Sequence, residues 1–252
     1  IKIINPIATK LGYVRGHKVV YEKNPFDKNS LLEIFFGNIK GMGFSPKHII
    51  DVGANHGTWT RETLKYFPDS YYTLIEPQEW LKPSLQDILD TNSKVSFNAV
   101  GAGDKSGSFM FTIVDRDDSC SFRYTEEEAK AAGFKQVEIP IVTLNEVVSK
   151  NTTLPFPDLV KIDAEGLDIN VLEGASDLMG ITEVFLVEAA MFCKVFDNYL
   201  LKMVDYMDKK GYSLFEITDL NRPFQPQVLW LVELAFIKKE GIIDSYKMDF
   251  AI

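Results

Sequence analysis

Cysteine is scarce in this sequence. Only Cys120 and Cys193 occur among 252 residues, far apart, with no Cys-x-x-Cys pair and no Cys/His cluster. That excludes a disulfide-stapled mini-domain and a structural zinc site, and it fits a reducing compartment. Long apolar runs are missing too. The stretches around Val184–Val187 and Val228–Val232 fall far short of the ~20 residues that span a bilayer. Lys10, Arg15 and Lys18 interrupt the region where a signal peptide's apolar segment would lie. A cytoplasmic location without a membrane span is the expectation. Basic charge is in deficit, with 27 Lys+Arg against 36 Asp+Glu and a net charge of −9. Such a surface argues against a general nucleic-acid binder, whose affinity rests on neutralising phosphates. Residues 1–50 reverse the balance, with 8 basic and 3 acidic side chains. The 46% hydrophobic content is ample for the core of one large domain plus an extension.

The chain's rhythm names the fold class. His48–Val52, Tyr71–Ile75 and Val95–Val100 read as buried strands, and helical patterns over Thr58–Phe67 and Trp80–Leu89 separate them. Alternation of this kind builds a parallel sheet with helices on both faces. Two further strands, Ser108–Val114 and Val137–Val142, break the rhythm and enclose a polar loop and a helix over Glu126–Ala132. The rhythm resumes with strands at Asp158–Asp163 and Glu183–Val187 and a helix over Tyr199–Lys210. Tyr212–Ile217 and Leu229–Ile237 lie close enough to pair antiparallel. Gly41, Gly43 and Pro46 set a boundary. Residues 1–45 are expected to form an N-terminal extension, a lid or interface, with a weak hairpin over Lys10–Tyr21 and a helix over Asn29–Gly37. Residues 46–252 form the main domain, with an insertion at about 104–142. Phe35, Phe36 and Phe44 are expected to present an exposed face.

Chemistry gathers at strand ends. Asp51-Val52-Gly53-Ala54-Asn55-His56-Gly57 closes the first core strand and opens a helix. Glycines at 53 and 57 allow a sharp turn and a close ligand approach. The middle glycine of a dinucleotide fingerprint is replaced by Asn55, so the loop suits a zwitterion with an ammonium and a carboxylate better than a pyrophosphate. Glu76, followed by Pro77, ends the second strand, where a carboxylate can accept both hydrogen bonds of a ribose diol. Asn98, Ala99 and Val100 end the third strand and offer a small edge to an adenine face. Asp163 and Glu165 emerge where the strand Asp158–Asp163 ends, at the switch in strand order if that strand lies beside the first. Glu188 ends the next strand in the same manner. Asp163 and Glu188 together supply oxygen ligands for a divalent cation, or one of them takes a proton from a hydroxyl. His56 is the third candidate for that base. Asp115, Asp118, Ser119 and Ser121, in the inserted loop, are candidate substrate contacts, together with Glu165.

These residues resemble a class I S-adenosylmethionine-dependent methyltransferase of the FkbM family. The likeness rests on Asp51-Val52-Gly53-Ala54-Asn55-x-Gly57, Glu76-Pro77, Val160-Lys161-Ile162-Asp163-x-Glu165-Gly166, Val171-Leu172-x-Gly174-Ala175 and Val187-Glu188, in that order, across roughly residues 48–190. The resemblance implies a Rossmann-like, doubly wound, seven-stranded α/β sheet, mostly parallel with an antiparallel last strand. It implies O-methylation of a small-molecule or sugar hydroxyl, with S-adenosyl-L-methionine as cofactor. Asp51, Gly53, Ala54, Asn55 and Gly57 would surround the methionyl part, with Asp163 beside them. Glu76 and Pro77 would hold the ribose, and Asn98, Ala99 and Val100 would border the adenine. The alternatives are a nicotinamide-dependent oxidoreductase and a non-catalytic nucleotide-binding module. Asn55 and the lack of a Tyr-x-x-x-Lys pattern weigh against the first, and acids at three strand ends weigh against the second.

Overall fold

The computed structural model describes residues 13–14, 17–18, 28–115, 119–192 and 198–248. Asp118 lies outside the described residues, as do Arg116, Asp117 and Cys193. Tyr13–Val14 (β1) and His17–Lys18 (β2) pair antiparallel, in the stretch read as a hairpin. Helix α1 (Lys28–Gly41) leads into strand β3 (His48–Val52), helix α2 (Thr58–Tyr66) and strand β4 (Tyr71–Ile75). A 3-10 segment, Glu79–Leu85, precedes helix α3 (Gln86–Thr91) and strand β5 (Val95–Asn98). The sequence predicts one helix over Trp80–Leu89. Pro83 sits inside the segment, and its missing N–H and bulky ring disfavour an uninterrupted α-helix.

The main sheet has seven strands in the order β11-β12-β10-β9-β3-β4-β5. Its remaining members are β9 (Leu159–Ile162), β10 (Val184–Ala190), β11 (Tyr212–Asn221) and β12 (Leu231–Lys238). Strand β3 runs parallel to both β4 and β9. The chain therefore winds outward from β3 in two directions, and the switch in strand order lies between β3 and β9. Strand β12, the last of the described strands, is antiparallel to both its neighbours, β10 and β11. Helix α6 (Asp168–Glu173) follows β9, and helix α7 (Leu200–Lys209) follows β10.

Full-length apolar runs are what a sheet covered on both faces requires. All five β3 residues are buried. Ile50, Val52, Val160, Ile162 and Val187 join one core cluster with Val171, Leu172 and Met203. Ile49, Leu159, Val184 and Leu186 join the other, with Phe35, Phe36 and Ile39 of α1. Phe35, Phe36 and Phe44 are therefore core residues, not the exposed face expected from sequence. The ring of Phe36 packs against Trp59, Tyr66 and Phe67 at centroid distances of 5.6–5.8 Å. Truncating such a side chain to alanine costs ~3–5 kcal/mol.

A second sheet, of three strands, stands apart in the order β6-β8-β7. It comprises β6 (Gly101–Ala102), β7 (Gly107–Ile113) and β8 (Lys135–Val142). Helix α4 (Glu126–Ala132) lies between β7 and β8 and carries a capping box, Thr125 with Glu128. Helix α5 (Leu144–Lys150) follows β8. Gly174 ties this unit to the body, because a Cβ there would lie 2.0 Å from the Gly103 carbonyl oxygen.

Candidate active site

The site is built at the carboxyl ends of β3, β4 and β9. The β3 hydrogen-bond ladder runs on past the strand: the Asp163 N–H donates to Val52 O at 3.1 Å, and the Gly53 N–H to Ile75 O at 2.9 Å. Gly53 has φ 72°. A Cβ there would stand 2.0 Å from the Asp163 carbonyl oxygen, so only glycine lets the turn lie this close to the exit of β9. Asn55 follows at φ 45°, and its side-chain oxygen accepts from the His56 N–H at 2.7 Å.

Glu76 holds the turn from the β4 side. One of its carboxylate oxygens accepts from the Asn55 N–H at 2.8 Å, and the other from the Gln78 N–H at 2.9 Å. Burial raises its pKa, and these hydrogen bonds and the Lys161 ammonium pull it back. Asp168 organises the opposite side. Its carboxylate accepts from the Ala164 and Gly166 N–H groups at 2.9 and 3.2 Å and from the Asn198 amide at 2.5 Å. Burial lifts its pKa to about 7 despite those donors.

Between the two sides lies a cleft partly open to solvent. Gly53, Asn55, Glu76, Pro77, Asp163, Glu165 and Ser121, all singled out from sequence, line it. Gly101, Ala102, Phe111, Cys120 and Phe122 complete one wall. The Phe111 and Phe122 rings pack at 4.7 Å between centroids. Ser121 is buried within this wall, and its Oγ has no hydrogen-bond partner. Glu165 has φ 51°.

Several predicted residues lie elsewhere. The Asp51 carboxylate sits behind the turn, fully buried, and accepts from Thr60 Oγ1 at 2.5 Å. Ala54 and Gly57 shape the turn and are not among the lining residues. Asn98, Ala99 and Val100 do not line the cleft either; Gly101 and Ala102 take that place because the chain bends after β5. The Asn98 amide instead donates to Leu74 O at 3.2 Å. The His56 ring turns to Ser84 Oγ at 2.9 Å, away from the cleft lining. Asp115 is exposed and Ser119 half-buried, both off the lining. Glu188 lies one residue past the β9–β10 pairing and is also off the lining. Burial, then Asp163, Asp168 and Glu165, push its pKa well up.

Sequence reasoning passed over Lys161 as a functional side chain. Its Nζ lies 3.3 Å from Asp163 Oδ2 and 3.5 Å from Asp51 Oδ1. Burial opposes its charge, but Asp163, Asp51 and Glu233 outweigh that and raise its pKa. A lysine between Val160 and Ile162 in an apolar strand was the available signal, since a buried charge needs partners. Among the described residues no group of three or more His, Cys, Asp or Glu side chains is arranged to hold a metal ion. The Lys161 ammonium occupies a cation's place beside Asp163. The cation expected at Asp163 and Glu188 therefore finds no built site among the described residues.

The methyltransferase FkbM domain family matches residues 51–214. The chain belongs to that family. It is an S-adenosylmethionine-dependent methyltransferase. No curated protein matches the sequence. Among solved structures, it is similar to a putative RNA methyltransferase from Pyrococcus horikoshii, at 11% identity and TM-score 0.48, covering 86% of each chain. It is also similar to the precorrin-6y C5,15-methyltransferase of Geobacter metallireducens, at 13% identity and TM-score 0.43, covering 82% of this chain and 88% of that one. A third is the Burkholderia thailandensis 1,6-didemethyltoxoflavin-N1-methyltransferase with 1,6-didemethyltoxoflavin and S-adenosylhomocysteine bound. It is 13% identical, with TM-score 0.42, covering 84% of this chain and 80% of that one. Among the described residues of this FkbM-family methyltransferase, no helix is long and apolar enough to cross a membrane.

Proposed function

We propose that this methyltransferase acts on a hydroxyl oxygen of a small, uncharged acceptor such as a sugar, with the donor lying in the cleft between Gly53 and Ser121. The donor's chemistry fits the residues present. The Glu76 carboxylate takes the Asn55 and Gln78 backbone N–H groups and a side-chain hydrogen bond from Gln78, and with four lone pairs it still has one to offer a ribose hydroxyl. The partnerless Ser121 Oγ, set among Phe111, Phe122 and Ala102, offers one hydrogen bond in an otherwise apolar slot, as a purine requires. Gly53 and Asn55 would meet the methionyl part.

When bound, the sulfonium supplies a methyl carbon already activated for in-line displacement. The chain's own task is alignment, which is worth up to ~7–11 kcal/mol. An alkyl hydroxyl also needs its proton removed as the new bond forms, a ~10²–10⁴-fold effect. Asp163 is assigned that role, because it is a partly exposed carboxylate on the cleft wall, with side-chain exposure of 37%, at the exit of β9 beside the Gly53 turn. That observation carries the O-methylation reading. Glu165 beside it would accept hydrogen bonds from further acceptor hydroxyls. Two acids at this end of the cleft disfavour an anionic acceptor.

Titration of S-adenosylhomocysteine, followed by a panel of sugars, phenols, amines and carboxylates with labelled donor, tests the reading. Methylated sugars or other neutral alcohols support it. Methyl transfer confined to amines would overturn the oxygen assignment.

A further inference from the structure

A lysine is an unusual occupant of the central strand of a covered sheet, and the surroundings of Lys161 give it a task. Its neighbours Val160 and Ile162 are fully buried, and its own side chain is 5% exposed. The ammonium donates to Gly53 O at 3.0 Å and to Val52 O at 3.3 Å. Its remaining hydrogen lies between two acids, Asp163 Oδ2 at 3.3 Å and Asp51 Oδ1 at 3.5 Å. Asp51 Oδ1 has no hydrogen-bond partner, so Lys161 is the charge that balances it. Gly53 is thereby gripped at both ends of its backbone, through its N–H by Ile75 O and through its carbonyl by Lys161.

We propose that Lys161 is a positioning residue of the donor cleft: its ammonium, seated beneath the Asp51–Gly53 turn, fixes the turn's backbone and aims the Asp163 carboxylate into the cleft. The residue joins three segments that must agree in place, namely the end of β3, the glycine turn and the exit of β9. An ammonium suits the post because it offers three donors from one point, whereas a guanidinium is planar and larger. The inference rests on the reading that this cleft holds the methyl donor.

The test separates holding the turn from merely neutralising a buried acid. Lys161→Met keeps the packing and removes the donors, but it strands the Asp51 charge in the core. Asp51→Asn with Lys161→Met removes both charges, and Asp51→Asn still lets Thr60 donate to the side-chain oxygen. Asp51→Asn alone serves as the reference. Melting temperature and the calorimetric Kd for S-adenosylhomocysteine are measured for each. The expected result is a split: the double variant melts within a few degrees of Asp51→Asn yet binds at least tenfold more weakly. Equal Kd values for the double variant and Asp51→Asn would overturn the proposal and leave Lys161 as a counter-charge alone. Should Lys161→Met not fold, the comparison of the double variant with its reference still decides. A wild-type chain that melts cooperatively but does not bind S-adenosylhomocysteine would sink the donor-cleft reading itself, and the proposal with it.

Discussion

Replacing Glu233 by glutamine should make this methyltransferase more stable in mildly alkaline solution and leave it little changed in acid. Glu233 sits on β12 directly opposite Glu188 on β10, and its Oε1 accepts from Thr218 Oγ1 at 2.6 Å. Burial lifts its pKa from 4.5 to about 7, opposed by the Thr218 bond and Lys161 and reinforced by Asp219 and Asp163. The sign follows from where the proton is held more tightly. The folded chain keeps it between pH 4.5 and about 7, whereas the unfolded chain gives it up. The resulting stabilisation is complete below pH 4.5 and is lost as pH rises through about 7. At ~1.4 kcal/mol per pH unit that span is worth about 3 kcal/mol. The residue is half-buried, so residual solvent trims the figure to ~2 kcal/mol. Glutamine preserves the acceptor for Thr218 and does not ionise. Urea unfolding followed by circular dichroism at pH 5, 6, 7 and 8 should show a steeper loss of stability in the wild type than in Glu233→Gln. Asp168, raised from 3.8 to about 7, leaves a residual slope of the same sign in the variant. Parallel stability–pH curves for the two proteins would refute the reasoning.

Three further outcomes are expected. Glu76→Gln should weaken S-adenosylhomocysteine binding ~10-fold or more by calorimetry, since it removes the charge that strengthens hydrogen bonds to a diol. Gly53→Ala should lower the melting temperature markedly, at a cost above ~1–2 kcal/mol for the left-handed residue alone, before counting the 2.0 Å approach to the Asp163 carbonyl oxygen. Asp163→Asn should retain S-adenosylhomocysteine affinity within a few-fold and lose turnover by ~10²-fold, measured with whichever acceptor the panel identifies.

Much of the frame was legible because buried parallel strands are written as unbroken apolar runs. The bounds of β3 and β4 match the runs His48–Val52 and Tyr71–Ile75, and the pairing of β3 with β9 puts Asp163 where the switch in strand order needed it. Helix α5 was overlooked even though Thr143 and Glu146 carry an N-terminal capping signal, with the Thr143 side chain accepting from the Glu146 N–H. The burial of α1 was misjudged for a different reason. Leu31, Ile34 and Phe35 mark an apolar stripe, but periodicity cannot say whether a stripe meets the chain's own sheet or another surface. The site divides along the same line. Glu76, Asn55 and Asp163 follow from their positions after strands, whereas the Phe111–Phe122 wall depends on how a separate sheet leans over the main one. His56 and Asn98 show the remaining gap, since a residue's place in a loop or at a strand end does not give its side chain's direction.

The place of β12 bears on how the molecule is made. It is synthesised after both β10 and β11, yet it lies between them, and among the described residues β11 has no other neighbour in its sheet. Until residues 231–238 emerge, one flank of β10 lacks its partner and β11 is unattached. Unpaired strand flanks recruit other chains. A nascent chain stalled short of Leu231 should therefore be the most aggregation-prone form of this enzyme, and a premature stop there should send it to proteolysis rather than leave a weakened catalyst.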